Sequence, residues 1–322
     1  MRPVKATGKN IKKAAQIIIE GGTVAFPTET VYGLGADGLN PVAVAKIFQI
    51  KKRPSFNPFI LHINKKEQLS SICDISNDRI DLLIDKLWPG PLTLVLPKQK
   101  IVPEIVTADN PTVAVRMPDN PTALKLIEYS GTPIAAPSAN LFNHLSPTTA
   151  DHVYKQLNDK VDMILDGGAA DVGVESTIIE IENDDIYLLR PGGVTKEVLE
   201  QILKTKIKNK KSSPDPNSPG QLPFHYSPKT KLKFIDEVNL SSLSDKRVGG
   251  IFFEKADARI NLKEVIVLSE KGNFQEAAAN LFSSLHILDE KMLDLIVIEK
   301  IPERDLGLAI MDRLKKAVAN FD

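Results

Sequence analysis

"VAFPTETVYGLGADG", residues 24–38, contains Gly33-Leu34-Gly35-Ala36-Asp37-Gly38, which fits G-x-G-x-x-G letter for letter. A dinucleotide loop here would make the fold a Rossmann sheet and the chain a dehydrogenase. That loop has to follow a strand directly and open a helix inside a compact βαβ unit. Here the expected strand Thr23–Phe26 ends at Pro27, and Thr28–Tyr32 intervene before the first glycine. The next helix signal is Pro41, a residue suited to a first helical turn. The glycines therefore read as part of a long loop, and the dinucleotide reading loses its context.

Outward from this stretch, short β-branched runs alternate with helical patterns. Strands are expected at Phe59–Ile63, Leu92–Leu96, Thr112–Val115, Ile134–Ala136, Met163–Leu165, Thr177–Ile181 and Ile186–Leu189. Helices are expected at Asn10–Glu20, Val42–Gln49, Asp78–Leu87, Thr122–Tyr129, Ala150–Leu157 and Lys196–Leu203. The alternation argues for an α/β layer architecture and leaves parallel and mixed sheets open. Residues 205–228 are rich in Lys, Ser, Pro and Gly without an apolar period, and read as a linker between a domain 1–204 and a domain 229–322. The second domain shows strands at Leu232–Ile235, Val248–Phe253, Val265–Leu268 and Leu295–Ile298, with helices at Phe274–Leu288 and Arg304–Ala319, the pattern of a small doubly wound unit.

Bulk properties narrow the function. The 41 basic and 41 acidic residues cancel, and residues 1–204 carry 22 basic against 24 acidic. Neither half is a scaffold that grips nucleic acid by bulk charge. No apolar run approaches a membrane span, no signal-type segment follows the basic start, and Cys73 is the single cysteine. A reducing cytoplasm is therefore the expected location. There is no G-x-x-x-x-G-K-[ST] and no G-x-S-x-G, and the five histidines lack metal spacing.

What remains are polar clusters at predicted strand ends, where α/β proteins place ligands. "KKRPSFNP" carries Lys51, Arg53 and Asn57; Arg116 ends "TVAVR"; Arg190 ends "IYLLR" before Pro191-Gly192-Gly193. Each is readable as a solvated side chain, but three arginines at such junctions suggest an anion site, because the guanidinium fork fits phosphate or carboxylate. "APSANLFNHLSPT" presents Ser138, Asn140 and Ser146, which serve equally as turn and cap residues. Ser176 enters a strand after a glycine turn, with simple turn chemistry as its alternative. His62 alternates with Ile60, and a core histidine is the plainer reading. Trp88 reads as core.

Together, "FPTETVYGLG", "IFQIKKRPSFNPFILHI", "WPGPLTLVL", "TVAVRMP", "PIAAPSAN", "DGG", "VESTI" and "LLRPG" resemble the YrdC-type domain of the threonylcarbamoyl-AMP synthase family. "SPGQLPFHYSP" and the terminal "AIMDRLKKA" resemble its long, two-domain form, with Gln221 where Met is common. The resemblance implies a YrdC-like twisted mixed sheet with helices, plus a small doubly wound C-terminal α/β domain. It implies condensation of L-threonine, bicarbonate and ATP, with Mg2+ carried by ATP and no dedicated metal site. A separate threonylcarbamoyl transferase complex would then modify adenosine-37 of tRNAs, so tRNA is met only indirectly and no membrane is involved. Lys51 and Arg53 match the family's K-x-R motif as catalytic residues. Thr30, His62, Arg116, Ala136 and Ser176 should hold threonine. Arg53, Asn57, Thr112, Ser138, Asn140, Ser146, Arg190 and Tyr226 should hold ATP, Tyr226 reaching in from a linker that acts as a lid. Residues 27–35 then form the threonine-side wall, the glycines letting a loop turn tightly beside substrate.

Two rival classes are weighed. An RNA-binding module conflicts with zero net charge and 6% aromatics. A carbamoyl-transfer or hydrogenase-maturation relative would carry zinc-finger and acylphosphatase segments that this chain lacks.

Overall fold

The helices begin where short polar side chains satisfy free backbone N–H groups. Asn40 accepts from Val42 and Ala43 N–H with Pro41 at the first position of helix Pro41–Lys51, and Asn120 does the same before Pro121–Ser130. Thr7, Asn77, Thr149 and Thr195 cap Gly8–Ile19, Asp78–Leu87, Ala150–Leu157 and Lys196–Leu203. The computed structural model describes residues 2–75, 77–182, 185–210, 218–257 and 261–321. Residues 211–217 of the expected linker lie outside them.

The first domain is built on β1 (Val4–Lys5), β2 (Val24–Phe26), β3 (Gly33–Asp37), β4 (Ile60–His62), β5 (Leu92–Pro97), β6 (Thr112–Arg116), β7 (Ile134–Ala135), β8 (Met163–Asp166), β9 (Thr177–Glu182), β10 (Asp185–Arg190) and β11 (Lys208–Asn209). Their order in the sheet is β1-β8-β2-β3-β7-β4-β6-β5-β9-β10-β11. Pairings β4–β6 and β5–β9 are parallel while β5–β6 and β9–β10 are antiparallel, so the sheet is mixed. The main core fills one side, from Tyr32, Leu34 and Ile47 to Val115 and Leu188.

The structure corrects two expectations. Gly33–Asp37 is not loop but β3, antiparallel to β2 with Phe26 opposite Gly33. The Thr28 hydroxyl donates to Val31 O (2.6 Å) and accepts from Thr30 and Val31 N–H, so the reversal is completed within Thr28–Tyr32. The glycines serve packing: a Cβ on Gly35 would stand 2.7 Å from both the Phe26 ring and Ile134. Likewise Lys208–Asn209, within the expected linker, adds a short parallel strand to β10.

The second domain has β12 (Leu232–Phe234), β13 (Val248–Phe252), β14 (Glu264–Val267) and β15 (Leu295–Ile298), all parallel in the order β12-β15-β13-β14. Helices Phe274–Asp289 and Gly307–Val318 cover it. Its core continues into the first domain through Val31, Leu145, Val174 and Tyr226. At Gly173, φ is +72° and a Cβ would meet Ala278 O at 2.4 Å, so this contact accepts glycine alone. Among the described residues no helix is long and apolar enough to cross a membrane.

Candidate active site

Side chains alternate across a sheet, so every second residue shares a face. Opposite the main core, Ile60, Val95, Ala114, Ile178 and Leu189 form a separate buried cluster. That cluster is the floor of a groove. His62 stands opposite Arg116 at the C-terminal ends of β4 and β6. Thr112 shares Arg116's face from the other end of β6, roughly 13 Å back at about 3.3 Å per residue, beside the residues that lead into β4. Regular alternation would turn Arg190 into the main core with Leu188, but a register shift between Leu188 and Arg190 re-aims it to the groove.

The cavity over this floor is lined by side chains from both ends of the groove, with Pro219, Gly220 and Tyr226 closing over it. At one end, Arg116 donates Nη1 to Thr30 Oγ1 (2.9 Å), Nε to Gly90 O (3.2 Å) and Nη2 to Glu29 Oε1. Pair and partners are buried, Arg116 at 3% and Glu29 at 7% exposure. His62 is buried beside them; burial first, then Arg116, holds it down to about 3, so its ring is neutral. Ser176 Oγ shares a hydrogen with Thr93 Oγ1 (2.7 Å) and accepts from Arg190 Nη2 (3.0 Å).

Toward the other end lie two cations of a different kind. Arg53 donates only to the carbonyls of Asn57 (3.2 Å) and Pro58 (2.9 Å) and stacks over the Phe59 ring. Arg190 donates to Ser176 and to Pro219 O. Neither forms an ion pair among the described residues, and burial pulls both below the usual arginine range, Arg53 to about 9. Asn57 is 1% exposed, and both atoms of its side-chain amide are without partners.

Thr30, Arg53, His62, Arg116, Ala136, Ser138, Ser176, Arg190 and Tyr226 are brought together on the cavity wall. Lys51, Asn57, Thr112, Asn140 and Ser146 lie outside it. Lys51 departs most from expectation: its amine, 1% exposed, donates to the Ser138 and Asn140 carbonyls rather than projecting into the cavity. Burial and then Arg53 push it well below the ordinary lysine range. Asn140 completes that support, accepting from Ser138 Oγ and donating to Leu141 O and His144 O. The K-x-R and S-x-N motifs thus hold one another.

Sequence reasoning names residues 27–35 as a wall without giving Thr28 or Glu29 a role of its own, and it leaves out Glu175 and Gly220. Glu29 and Glu175 sit beside singled-out Thr30 and Ser176, but their arginine partners are far along the chain. Pro219 and Gly220 also fold back to the site, Gly220 at φ +86° so close to Arg190 that a Cβ would touch its Cδ at 2.7 Å.

Residues 16–192 match the family profile described as "Telomere recombination" (Sua5/YciO/YrdC), and residues 194–319 match "Threonylcarbamoyl-AMP synthase, C-terminal domain". The chain is 42% identical over 323 residues to the threonylcarbamoyl-AMP synthase of Pyrococcus abyssi, covering 95% of this chain and 93% of that protein. It is 41% identical over 319 residues to that of Bacillus subtilis, covering 95% and 92%. The crystal structure of Pyrococcus abyssi Sua5 complexed with L-threonine superposes with a TM-score of 0.90 at 40% identity, covering 99% of this chain and 96% of that one. With both halves matched in order and the groove built from the motif residues, the chain belongs to the Sua5/YciO/YrdC family in its two-domain form.

Proposed function

We propose that this chain is an L-threonylcarbamoyladenylate synthase, a nucleotidyltransferase acting on L-threonine, bicarbonate and ATP. The observation that carries this reading is the pair Arg53 and Arg190, two buried guanidiniums facing one cavity with no ion-paired carboxylate among the described residues. A buried cation is costly until an anion reaches it, and the guanidinium fork fits phosphate. Arg116 supplies the other end. Of its five N–H groups three are engaged, which leaves one on each terminal nitrogen to donate to a carboxylate. The L-threonine bound by the Pyrococcus abyssi relative supports that assignment.

In the reaction, the threonine amine adds to bicarbonate and water leaves, giving an N-carboxylate. Its oxygen attacks the α-phosphorus, and the bond to the β-phosphate breaks as pyrophosphate departs. Two anions must meet, so positioned cations lower the barrier by cancelling charge and fixing geometry. Neutral His62 and the hydroxyls of Thr30 and Ser176 orient threonine. Asn57 and Thr112, at the far end of the groove, hold the nucleotide with Ser138 and Arg190. Lys51 and Asn140 act through the 138–140 loop. We assign Mg2+ to ATP itself, because Glu29 and Glu175, the carboxylates at the site, are already committed to arginines. A second protein then transfers the threonylcarbamoyl group to adenosine-37 of tRNA.

The test is pyrophosphate release from ATP by the purified chain. Release should require threonine and bicarbonate together; release independent of either would sink the reading. Tight binding of unmodified tRNA without turnover would favour the RNA-binding module instead.

Of the expected linker 205–228 between domains 1–204 and 229–322, we assign residues 218–228 as a lid, since Lys208–Asn209 is already a strand of the first sheet. Tyr226, 2% exposed at φ +67°, packs on His225 and Phe282 above Arg53 and Arg190. Such cover keeps water from a labile adenylate. Tyr226→Ala should therefore convert ATP and threonine to AMP with little retained adenylate, by chromatography of single turnovers. Unchanged adenylate yield would reduce the segment to a spacer.

A further inference from the structure

One motif has no part in this mechanism. "AIMDRLKKA" lies on helix Gly307–Val318 of the second domain, and its Arg313 is 1% exposed. Its guanidinium reaches across the domain boundary. Nε donates to Glu175 Oε2 at 2.7 Å, Nη1 donates to Pro191 O at 2.9 Å and to Asp312 Oδ2 at 2.7 Å, and Cζ stands 5.3 Å from the Tyr226 ring centre. The other oxygen of Glu175 accepts from Ser146 Oγ. Glu175 itself lines the cavity, immediately before Ser176 and close to Arg190.

A carboxylate in the wall of a phosphate site is a liability. Exposed by 6%, it repels the incoming anion through a poorly screened medium. Pairing with a cation outside the cavity removes that repulsion and leaves Arg190 available for substrate. Among the described residues no cation of the first domain is ion-paired with Glu175: Arg190 bonds Ser176 and Pro219, and Arg116 bonds Glu29.

We propose that Arg313 is a positioning residue of the synthase site, supplied by the C-terminal domain, which neutralises Glu175 and holds Ser146 so that ATP phosphates can bind. The inference rests on the synthase reading and gives the second domain a direct role in the chemistry. The alternative is a clamp that merely joins the domains, and the two differ in what happens when Glu175 loses its charge.

The groups that face Glu175 are Arg313 and Asp312 on the helix, Arg190 on β10, Ser146, and His225 and Tyr226 on the lid. Burial favours a protonated Glu175, but Arg313, Arg190 and the Ser146 hydroxyl together bring it down to about 2. Burial holds His225 well below its usual range and raises Tyr226 to about 12, so neither titrates near neutrality. Without Arg313 the burial penalty on Glu175 is opposed mainly by Arg190, and its proton affinity rises.

Arg313→Met should raise the KM for ATP by about 10–100-fold, the loss expected for one buried charge-assisted contact. That KM should fall as the pH is lowered from about 8.5 to about 6, because the orphaned carboxyl takes up a proton and the repulsion disappears; the wild type should show no such trend. Glu175→Gln/Arg313→Met should return the KM for ATP to within about 3-fold of wild type, and Arg313→Lys should lie between. A wild-type KM in Arg313→Met overturns the proposal. So does equal impairment of the single and double variants, which would identify a structural clamp. ATP affinity is also read by calorimetry for each variant. Failure of threonine-dependent turnover in the wild type would thus sink the parent reading while the Arg313 comparison still gives its answer.

Discussion

Arg116→Ala is expected to reduce kcat/KM for threonine by about three orders of magnitude, chiefly through KM for threonine. The substitution removes the remaining N–H donors assigned to the substrate carboxylate and also strands Glu29. That carboxylate is 7% exposed, one of its oxygens is already without a partner, and Arg116 is its ion-pair partner. Removing one member of a buried pair costs roughly 3–5 kcal/mol, because the survivor stays charged and unsolvated. The negative charge left behind lies where the threonine carboxylate has to enter. Arg116→Lys should recover little, since a point charge cannot serve Thr30, Glu29 and Gly90 at once and still offer a fork to substrate. The KM for ATP should move far less, as the nucleotide lies toward the other end of the floor. Steady-state kinetics with each substrate varied in turn decide the matter: a folded Arg116→Ala protein with an unchanged threonine KM removes this residue from the site.

The second large effect is expected at Arg53. Arg53→Ala should lower turnover by about 10²–10⁴-fold, the equivalent of two charge-assisted bonds at roughly 1.5–3 kcal/mol each. Here the unfolding midpoint should change little. Arg53 has no carboxylate partner among the described residues, so its removal strands no buried opposite charge and frees only the Asn57 and Pro58 carbonyls. Arg53→Lys should restore part of the rate by returning the charge without the fork. Loss of stability as large as that in Arg116→Ala, with the rate intact, would show that Arg53 holds its loop rather than the phosphates.

These two arginines also show how far local reasoning reaches. Both were legible as members of an anion site, because Arg116 ends the strand "TVAVR" and Arg53 stands in the basic loop between a helix and the next strand. That one is paired with a buried carboxylate and the other is not was not legible. Glu29 is separated from Arg116 by β3, β4 and β5, and nothing in "PTET" distinguishes it from a surface glutamate. Lys51 teaches the same lesson in reverse. Its place in a basic cluster points to a phosphate ligand, yet the burial of helix Pro41–Lys51 turns its amine onto the 138–140 carbonyls.

The sequence by itself determined most of the elements and several helix starts. Asn40-Pro41, Asn120-Pro121 and Thr149 set helix starts because a cap acts on N–H groups two or three residues away. The sequence also placed the motif residues at the tips of the strands. Tertiary structure decided the rest. It made a strand of Gly33–Asp37, since only the approach of Phe26 and Ile134 leaves no room there for a side chain. It turned Arg190 into the groove through a register shift, and it joined Glu175 to Arg313 across 138 positions. Caps and periodicity act within a turn or two of the chain. Charge pairing and close packing act through space, and only the folded sheet brings those partners within reach.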